Sequence, residues 1–209
     1  MYGRPRLGNP EDPLDDLIYV LLSNKTQPVR AQAAYDLLKE RYPSWEDVME
    51  ADPSELISIL KPTGFATKRT TQIQSLLRKI KSDFGRCDLN PLRSRDESDV
   101  YEYLTSLLGI SDKVARCVMM YTMGFEVLPV DVHVHRVAQR LGWTEISRPE
   151  QSHEELESLI PRELRYAFHV DCVAHGRALC YSKNPNCPPC GLKKYCEYFK
   201  RSTSGQPAE

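Results

Sequence analysis

The chain predicts an all-α fold. Three observations carry this: apolar residues recur at helical spacing through most of the sequence, no segment alternates for long, and the Asn-Gly and Asp-Gly turns that close hairpins are absent. Leu14, Leu17, Ile18, Leu21 and Leu22 form one apolar stripe over 14–23. Val29, Ala33, Ala34, Leu37 and Leu38 form another over 29–41. Pro28 sits where a first-turn proline is tolerated, and Pro53-Ser54 opens a further short helix. The same reading predicts helices near 44–50, 54–60, 67–84, 97–107, 112–123, 132–141, 150–159, 161–178 and 190–199, then a flexible tail over 201–209.

A hydrophobic content of 41% with 27% charged residues excludes wholesale disorder in a chain of 209 residues, long enough for one or two domains. No stretch is apolar enough to cross a membrane, and the opening Met1–Pro13 is polar and proline-rich, unlike a leader. Seven cysteines, an odd number, point to a reducing compartment. Cys87, Cys117 and Cys172 are expected as small buried hydrophobes.

The net charge is only −1, but it is unevenly placed. Between Lys61 and Arg95 nine basic residues face two acidic ones, and between Arg165 and Arg201 seven face two. Acidic residues gather in 11–16, 46–55 and 150–163. A polyanion-binding face with a repelling back has this pattern, and so do ordinary solvated helix faces.

Cys180, Cys187, Cys190 and Cys196 are spaced C-x6-C-x2-C-x5-C. Four soft thiolates from one short segment can hold an iron–sulfur cluster or a structural zinc. A zinc site usually pairs two tight knuckles; here one pair is tight and the outer cysteines lie farther off, which favours the bulkier 4Fe-4S cluster. A disulfide framework comes third.

In Leu104–Ala115 one helix ends near Leu107, Gly109 allows a left-handed turn, and a new helix begins around Asp112. Such a hairpin can offer backbone N–H groups to a phosphate, or can be a plain corner in a core. Lys113 falls in the first turn of the second helix, where the dipole disfavours an ammonium and partial burial would favour the neutral, nucleophilic amine. Asp131, eighteen residues on, stands at a helix N-cap position. Capping is its plain reading; electrostatic stabiliser beside a nucleophile is the sharper one. His133 and His135 lie two apart on a helix and diverge, so they read as structural or phosphate-facing and not as a metal pair.

Together these pieces resemble the endonuclease III branch of the helix–hairpin–helix DNA glycosylases. The matching segments are Leu21–Thr26, Lys61–Phe65, Leu107–Ala115, Val130–His133, His175–Arg177 and the four cysteines, in family order along nearly the whole chain. The resemblance implies two helical domains with DNA gripped in the cleft between them. A six-helix domain would span 17–130, with the helix–hairpin–helix at about 101–124, and a cluster domain would combine 1–16 with 131–200. It implies a 4Fe-4S cofactor on Cys180, Cys187, Cys190 and Cys196.

The resemblance further implies a base-excision-repair enzyme that is both glycosylase and abasic-site lyase. A damaged base, an oxidised pyrimidine by analogy, is flipped from double-stranded DNA. The Lys113 amine displaces it through a Schiff base, β-elimination follows, and Asp131 stabilises the positive sugar. DNA contacts are expected from Lys25, Gly64, Phe65, Gly109, Ser111 and His133. Lys25 takes the place of a gap-filling glutamine, and Phe65 that of an apolar wedge, with core packing its alternative. A monomer in a bacterial or archaeal cytoplasm, at the nucleoid and off the membrane, is the matching setting.

Several residues depart from the family pattern. Leu108 replaces the hairpin proline, Ser111 replaces its second glycine while remaining able to cap the next helix, and the N-terminal segment is short. Rival readings are a glycosylase of different lesion or mismatch preference, a weakly active or non-catalytic DNA-binding iron–sulfur protein, and an iron–sulfur redox protein.

Overall fold

The computed structural model describes residues 7–203, all helices, turns and loops, with no strand among the described residues. The chain folds as two compact units, one spanning Gly8–Phe125 and the other beginning at Glu126. These borders differ from the expected 17 and 130. Residues 9–12 are tied into the first unit: Asn9 Nδ2 donates to Asp16 at 2.6 Å, Asn90 Nδ2 to Asp12 at 2.9 Å, and Arg93 to the Glu11 carbonyl at 3.1 Å. Expectations for 1–6 lie outside the described residues, as do those for 204–209.

The first unit contains α1 (Pro13–Ser23), α2 (Pro28–Arg41), α3 (Trp45–Glu50), α4 (Pro53–Leu60), α5 (Ala66–Phe84), α6 (Glu97–Ser106) and α7 (Asp112–Thr122). Their starts follow from local chemistry. Asp12 accepts from the N–H groups of Leu14 and Asp15 ahead of Pro13, and Asp52 accepts from Ser54 ahead of Pro53. Ser44 and Asp47 form a reciprocal capping box on α3. Gly85 ends α5 in the left-handed conformation.

Helix α1 packs against α7, α2 and α5, while α3 and α4 lie on α5 and α6 lies on α7. Leu17, Ile18, Leu22, Leu76, Leu77, Ile80, Val118 and Met119 are fully buried there. Each such side chain contributes about 1.5–3 kcal/mol over leaving it in water.

The second unit contains α8 (Val132–Leu141), α9 (His153–Leu159), α10 (Arg165–Ala178) and α11 (Glu197–Thr203). Its apolar cluster joins Leu128, Val130, Val134, Val137, Ala138, Leu156, Ile160 and Cys172, with α10 and α11 both packed on α8.

Two expected elements differ. The helix placed at 190–199 is instead a run of turns with one 3-10 turn at Lys193–Tyr195, and the regular helix occupies Glu197–Thr203. The backbone there closes in successive tight turns, Cys190 N–H to the Cys187 carbonyl at 3.0 Å, Tyr195 N–H to the Leu192 carbonyl at 2.9 Å and Cys196 N–H to the Lys193 carbonyl at 3.3 Å, in place of a helical ladder. Residues 201–203, assigned to the flexible tail, complete α11. Cys117 and Cys172 are buried as expected, whereas Cys87 is half-buried, its backbone N–H held by Glu46.

Candidate functional site

The hairpin between α6 and α7 is closed by short backbone bonds, Leu107 N–H to Leu104 O at 3.2 Å and Ile110 N–H to Leu107 O at 3.1 Å. Leu107 and Ile110 point into the core and Leu108 is exposed, so the turn is anchored from below and bare above. Gly109 has φ +81°, and a Cβ there would come within 1.9 Å of the Gln72 side chain on α5. The left-handed backbone is what demands glycine; the Gln72 amide is the end of a flexible, half-buried side chain and can swing aside. Ser111 occupies the N-cap of α7, but its hydroxyl makes no capping bond, contrary to expectation. The first turn is steadied instead by Asp112, which accepts from Arg116 Nε at 2.8 Å.

Lys113 is the second residue of α7 and is half-buried. Behind it lies a residue that the sequence did not single out. Asp16 is fully buried on α1, the helix packed against α7. Its Oδ1 accepts from Asn9, while its buried Oδ2 has no hydrogen-bond partner. Burial raises its pKa to about 7, against the lowering pull of the Asn9 bond and then of the Lys113 charge. The available signal was an acidic residue inside an otherwise leucine-lined stripe.

The two candidate probe loops belong to the same unit. Lys25 is exposed between α1 and α2 with φ +56°, and Phe65 is 68% exposed with φ +52°, directly after Gly64 at φ +74°. Phe65 therefore takes no part in the core. Positive φ at a lysine and at a phenylalanine is strained, and persists only where surroundings enforce it.

In the second unit Asp131 caps α8, its Oδ1 accepting from His133 N at 2.8 Å and Val134 N at 2.9 Å. The His133 ring lies against α10, where a Cβ on Gly176 would come within 2.4 Å of its Nδ1. Arg136 NH2 is 2.9 Å from that Nδ1. A guanidinium only donates, so Nδ1 accepts and the ring proton sits on Nε2. Burial first, opposed by Asp131 and reinforced by Arg136 and Arg177, lowers the His133 pKa. His135 is buried and bonded to the Ile146 carbonyl at 2.7 Å, a structural role.

Cys180, Cys187, Cys190 and Cys196 line one pocket, with Val137, Leu141, Leu179, Leu192 and Phe199 as its apolar wall. None is in a disulfide. Arg140 NH1 donates to Cys180 Sγ at 3.0 Å, and Arg136 Nε to the Cys180 carbonyl at 2.8 Å, fastening the loop to α8. His175 Nε2 lies 3.6 Å from Cys190 Sγ. Burial, and then the neighbouring sulfurs, push the Cys187 thiol up. Gathered thiolates repel one another unless a cation holds them. Among the described residues no three His, Cys, Asp or Glu side chains form a group fit for one metal ion. The four thiols share a pocket without that arrangement.

Of the predicted residues, Lys25, Gly64, Phe65, Gly109, Ser111 and Lys113 fall in the first unit. Asp131, His133 and the four cysteines fall in the second.

Residues 18–162 match the HhH-GPD superfamily of base excision DNA repair proteins. The chain is 30% identical over 202 residues to Endonuclease III of Thermotoga maritima, covering 97% of this chain and 91% of that one. It is 29% identical over 187 residues to Endonuclease III of Synechocystis, covering 89% and 81%. Among solved structures it is similar to that of a non-covalent Endonuclease III–DNA complex, with a TM-score of 0.81 and 25% identity over 92% of this chain and 86% of the other. No described helix is long and apolar enough to cross a membrane.

Proposed function

The chain belongs to the HhH-GPD superfamily of base excision DNA repair proteins, in its endonuclease III-like branch, and on that premise we propose that it is a bifunctional DNA glycosylase and abasic-site lyase acting on oxidised pyrimidines in double-stranded DNA. The observation that carries the reading is Lys113, half-buried in the first turn of α7 immediately after the Gly109 hairpin. A lysine that acts as nucleophile must lose its proton, and a helix N-terminus disfavours the charged form.

The Lys113 Nζ lone pair attacks C1′ of the flipped nucleotide. The C1′–N bond breaks, and its electron pair leaves with the base, which takes up a proton. Opening of the sugar ring yields the imine between Nζ and C1′. Removal of a C2′ proton then expels the 3′ phosphate oxygen, cutting the strand. Asp131 offers its negative charge to the cationic sugar in the transition state. The Nε2–H of His133 and the hairpin amides around Gly109 and Ser111 are suited to holding phosphates, and Lys25 and Phe65 to entering the stack.

Cys180, Cys187, Cys190 and Cys196 would hold a 4Fe-4S cluster. Four soft donors in an apolar-walled pocket, with Arg140 directed at one sulfur, support this over a single zinc. When bound, that group supplies sulfur–iron bonds that cross-link the loop. A protein working as a monomer at the DNA of a bacterial or archaeal cytoplasm fits the reading. Lys25, where a gap-filling glutamine is expected, favours a second reading in which the same chemistry serves another lesion or opposite base.

Borohydride trapping tests the proposal. The protein is incubated with duplexes bearing thymine glycol or an abasic site, then reduced. A covalent adduct that disappears in Lys113→Ala, with strand cleavage reduced at least ~1000-fold, is the expected result. No adduct with either duplex overturns it.

A further inference from the structure

Between the two probe loops lies a buried arginine that the chemistry above does not use. Arg69, in the first turn of α5, is only 4% exposed. Its NH1 donates to the Leu22 carbonyl at 2.8 Å and to the Thr63 carbonyl at 3.2 Å, and its NH2 donates to the Asn24 carbonyl at 2.6 Å. Its own backbone N–H donates to the Phe65 carbonyl at 2.9 Å. Leu22 and Asn24 precede Lys25, and Thr63 precedes Gly64-Phe65. One guanidinium thus grips the chain just ahead of each strained, exposed residue. A second link runs parallel to it, from Thr26 Oγ1 to the Thr63 carbonyl at 2.9 Å.

An arginine pairs well with a carboxylate, and a buried one without such a partner gives up most of its hydration for little return. Here the side-chain hydrogen bonds end on main-chain carbonyls, which recover part of that cost and leave no separate anion to be screened. The chain accepts a buried cation at the junction of two loops that each carry a left-handed non-glycine residue. Such residues are unfavourable in isolation and need a surrounding framework to hold them. Arg69 bonds the main chain just ahead of both.

We propose that Arg69 is a positioning residue that joins the Lys25 loop to the Phe65 loop, so that the two enter a DNA duplex as one body. The proposal rests on the glycosylase reading above. It assigns Arg69 to the step in which a damaged base is extruded and its gap filled, because that step needs both loops at fixed spacing. A site already lacking its base has less to extrude and should tolerate a loosened loop.

The experiment compares single-turnover release of thymine glycol with strand cleavage at a preformed abasic site, for wild type, Arg69→Met and Arg69→Lys. A 2-aminopurine opposite the lesion reports gap filling by fluorescence. Arg69→Met is expected to slow base release at least ~10-fold, with a matching loss of the fluorescence change, while abasic cleavage stays within ~3-fold. Arg69→Lys, with three donors on a flexible stem, is expected to fall between. Equal loss in both reactions, or no loss in either, overturns the proposal. If Arg69→Met does not fold by circular dichroism, Thr26→Val decides: it removes the parallel link to Thr63, together with the longer contact to the Asn24 carbonyl at 3.3 Å, and should show the same selectivity at smaller size. Wild type inactive on both duplexes overturns the glycosylase reading, and the proposal with it. Wild type active on both with unselective variants overturns the proposal alone.

Discussion

The helical hairpin and the cysteine loop are built on opposite principles. Around the hairpin, Leu104, Leu107, Ile110, Val114, Ala115 and Val118 are buried, and apolar contact holds the turn. From residue 181 to 203 no side chain is buried, and the chain is held by backbone turns, by Arg140 on the Tyr181 and Ser182 carbonyls, by the Cys196 thiol on the Arg140 carbonyl, and by α11 lying on α8. The first region would keep its shape without any ligand, because its stability is the area it removes from water. The second has little such area to draw on, so a group that bridges its sulfurs would become its core.

The sharpest way to break this comparison is to remove whatever the thiols hold. Treatment with oxidant and chelator, or Cys187→Ser, is expected to raise the rate of limited proteolysis within 181–196 by about 100-fold, on the order of 3 kcal/mol of local stability. Cleavage within 8–125 should stay unchanged. Peptide mapping by mass spectrometry reads both, and equal sensitivity of the two regions would show that they are not independent.

A smaller effect probes the apolar unit at its one buried carboxyl. The native pKa of Asp16 lies near 7 against an ordinary value of 3.8. Below pH 4 both folded and unfolded chains hold the proton. As pH rises through 4 the unfolded chain releases it first, so stability falls between about pH 4 and 7 and is level above. Asp16→Asn should remove this decline and stabilise the protein by about 2 kcal/mol at pH 8, read by urea denaturation across pH. A parallel pH dependence in the variant would refute the assignment.

The smallest change lies in the turn. Gly109→Ala forces a Cβ into left-handed backbone and against Gln72, for an expected loss of about 1–2 kcal/mol and a Tm lower by ~2–6 °C. Adding Gln72→Ala should recover the steric part and leave the backbone part. Full recovery in the double variant would place the whole cost in the contact.

How much of this was legible in the chain follows the same division. Helix starts at Pro13, Pro28 and Pro53 were marked by proline after Asp or Gln, and the ends of α5 and α8 by Gly85 and Gly142. These are local signals. The cysteine spacing identified four residues that do share one pocket, yet the helix placed over 190–199 failed because loop and helix there have similar composition. Arg69 and Asp16 were unreadable for a different reason. Arg69 meets carbonyls 45 and 47 residues earlier, and nothing local separates it from the other basic residues of that stretch. Asp16 became informative only once α1 was seen packed on α7. Ser111 erred the other way: a good capping residue stands at the cap, and its hydroxyl makes no capping bond.

The side-chain bonds of Arg69 end on carbonyls, and a carbonyl is the same on every residue. The grip on the two loops is therefore blind to the side chains that the loops display. The exposed Asn24, Lys25 and Phe65 can each be exchanged while the guanidinium still finds its acceptors, provided the backbone keeps its path. A scaffold of this kind separates the tool from the handle. Variation in what is recognised can accumulate at the loop tips, one residue at a time, without dismantling the part that holds them in register.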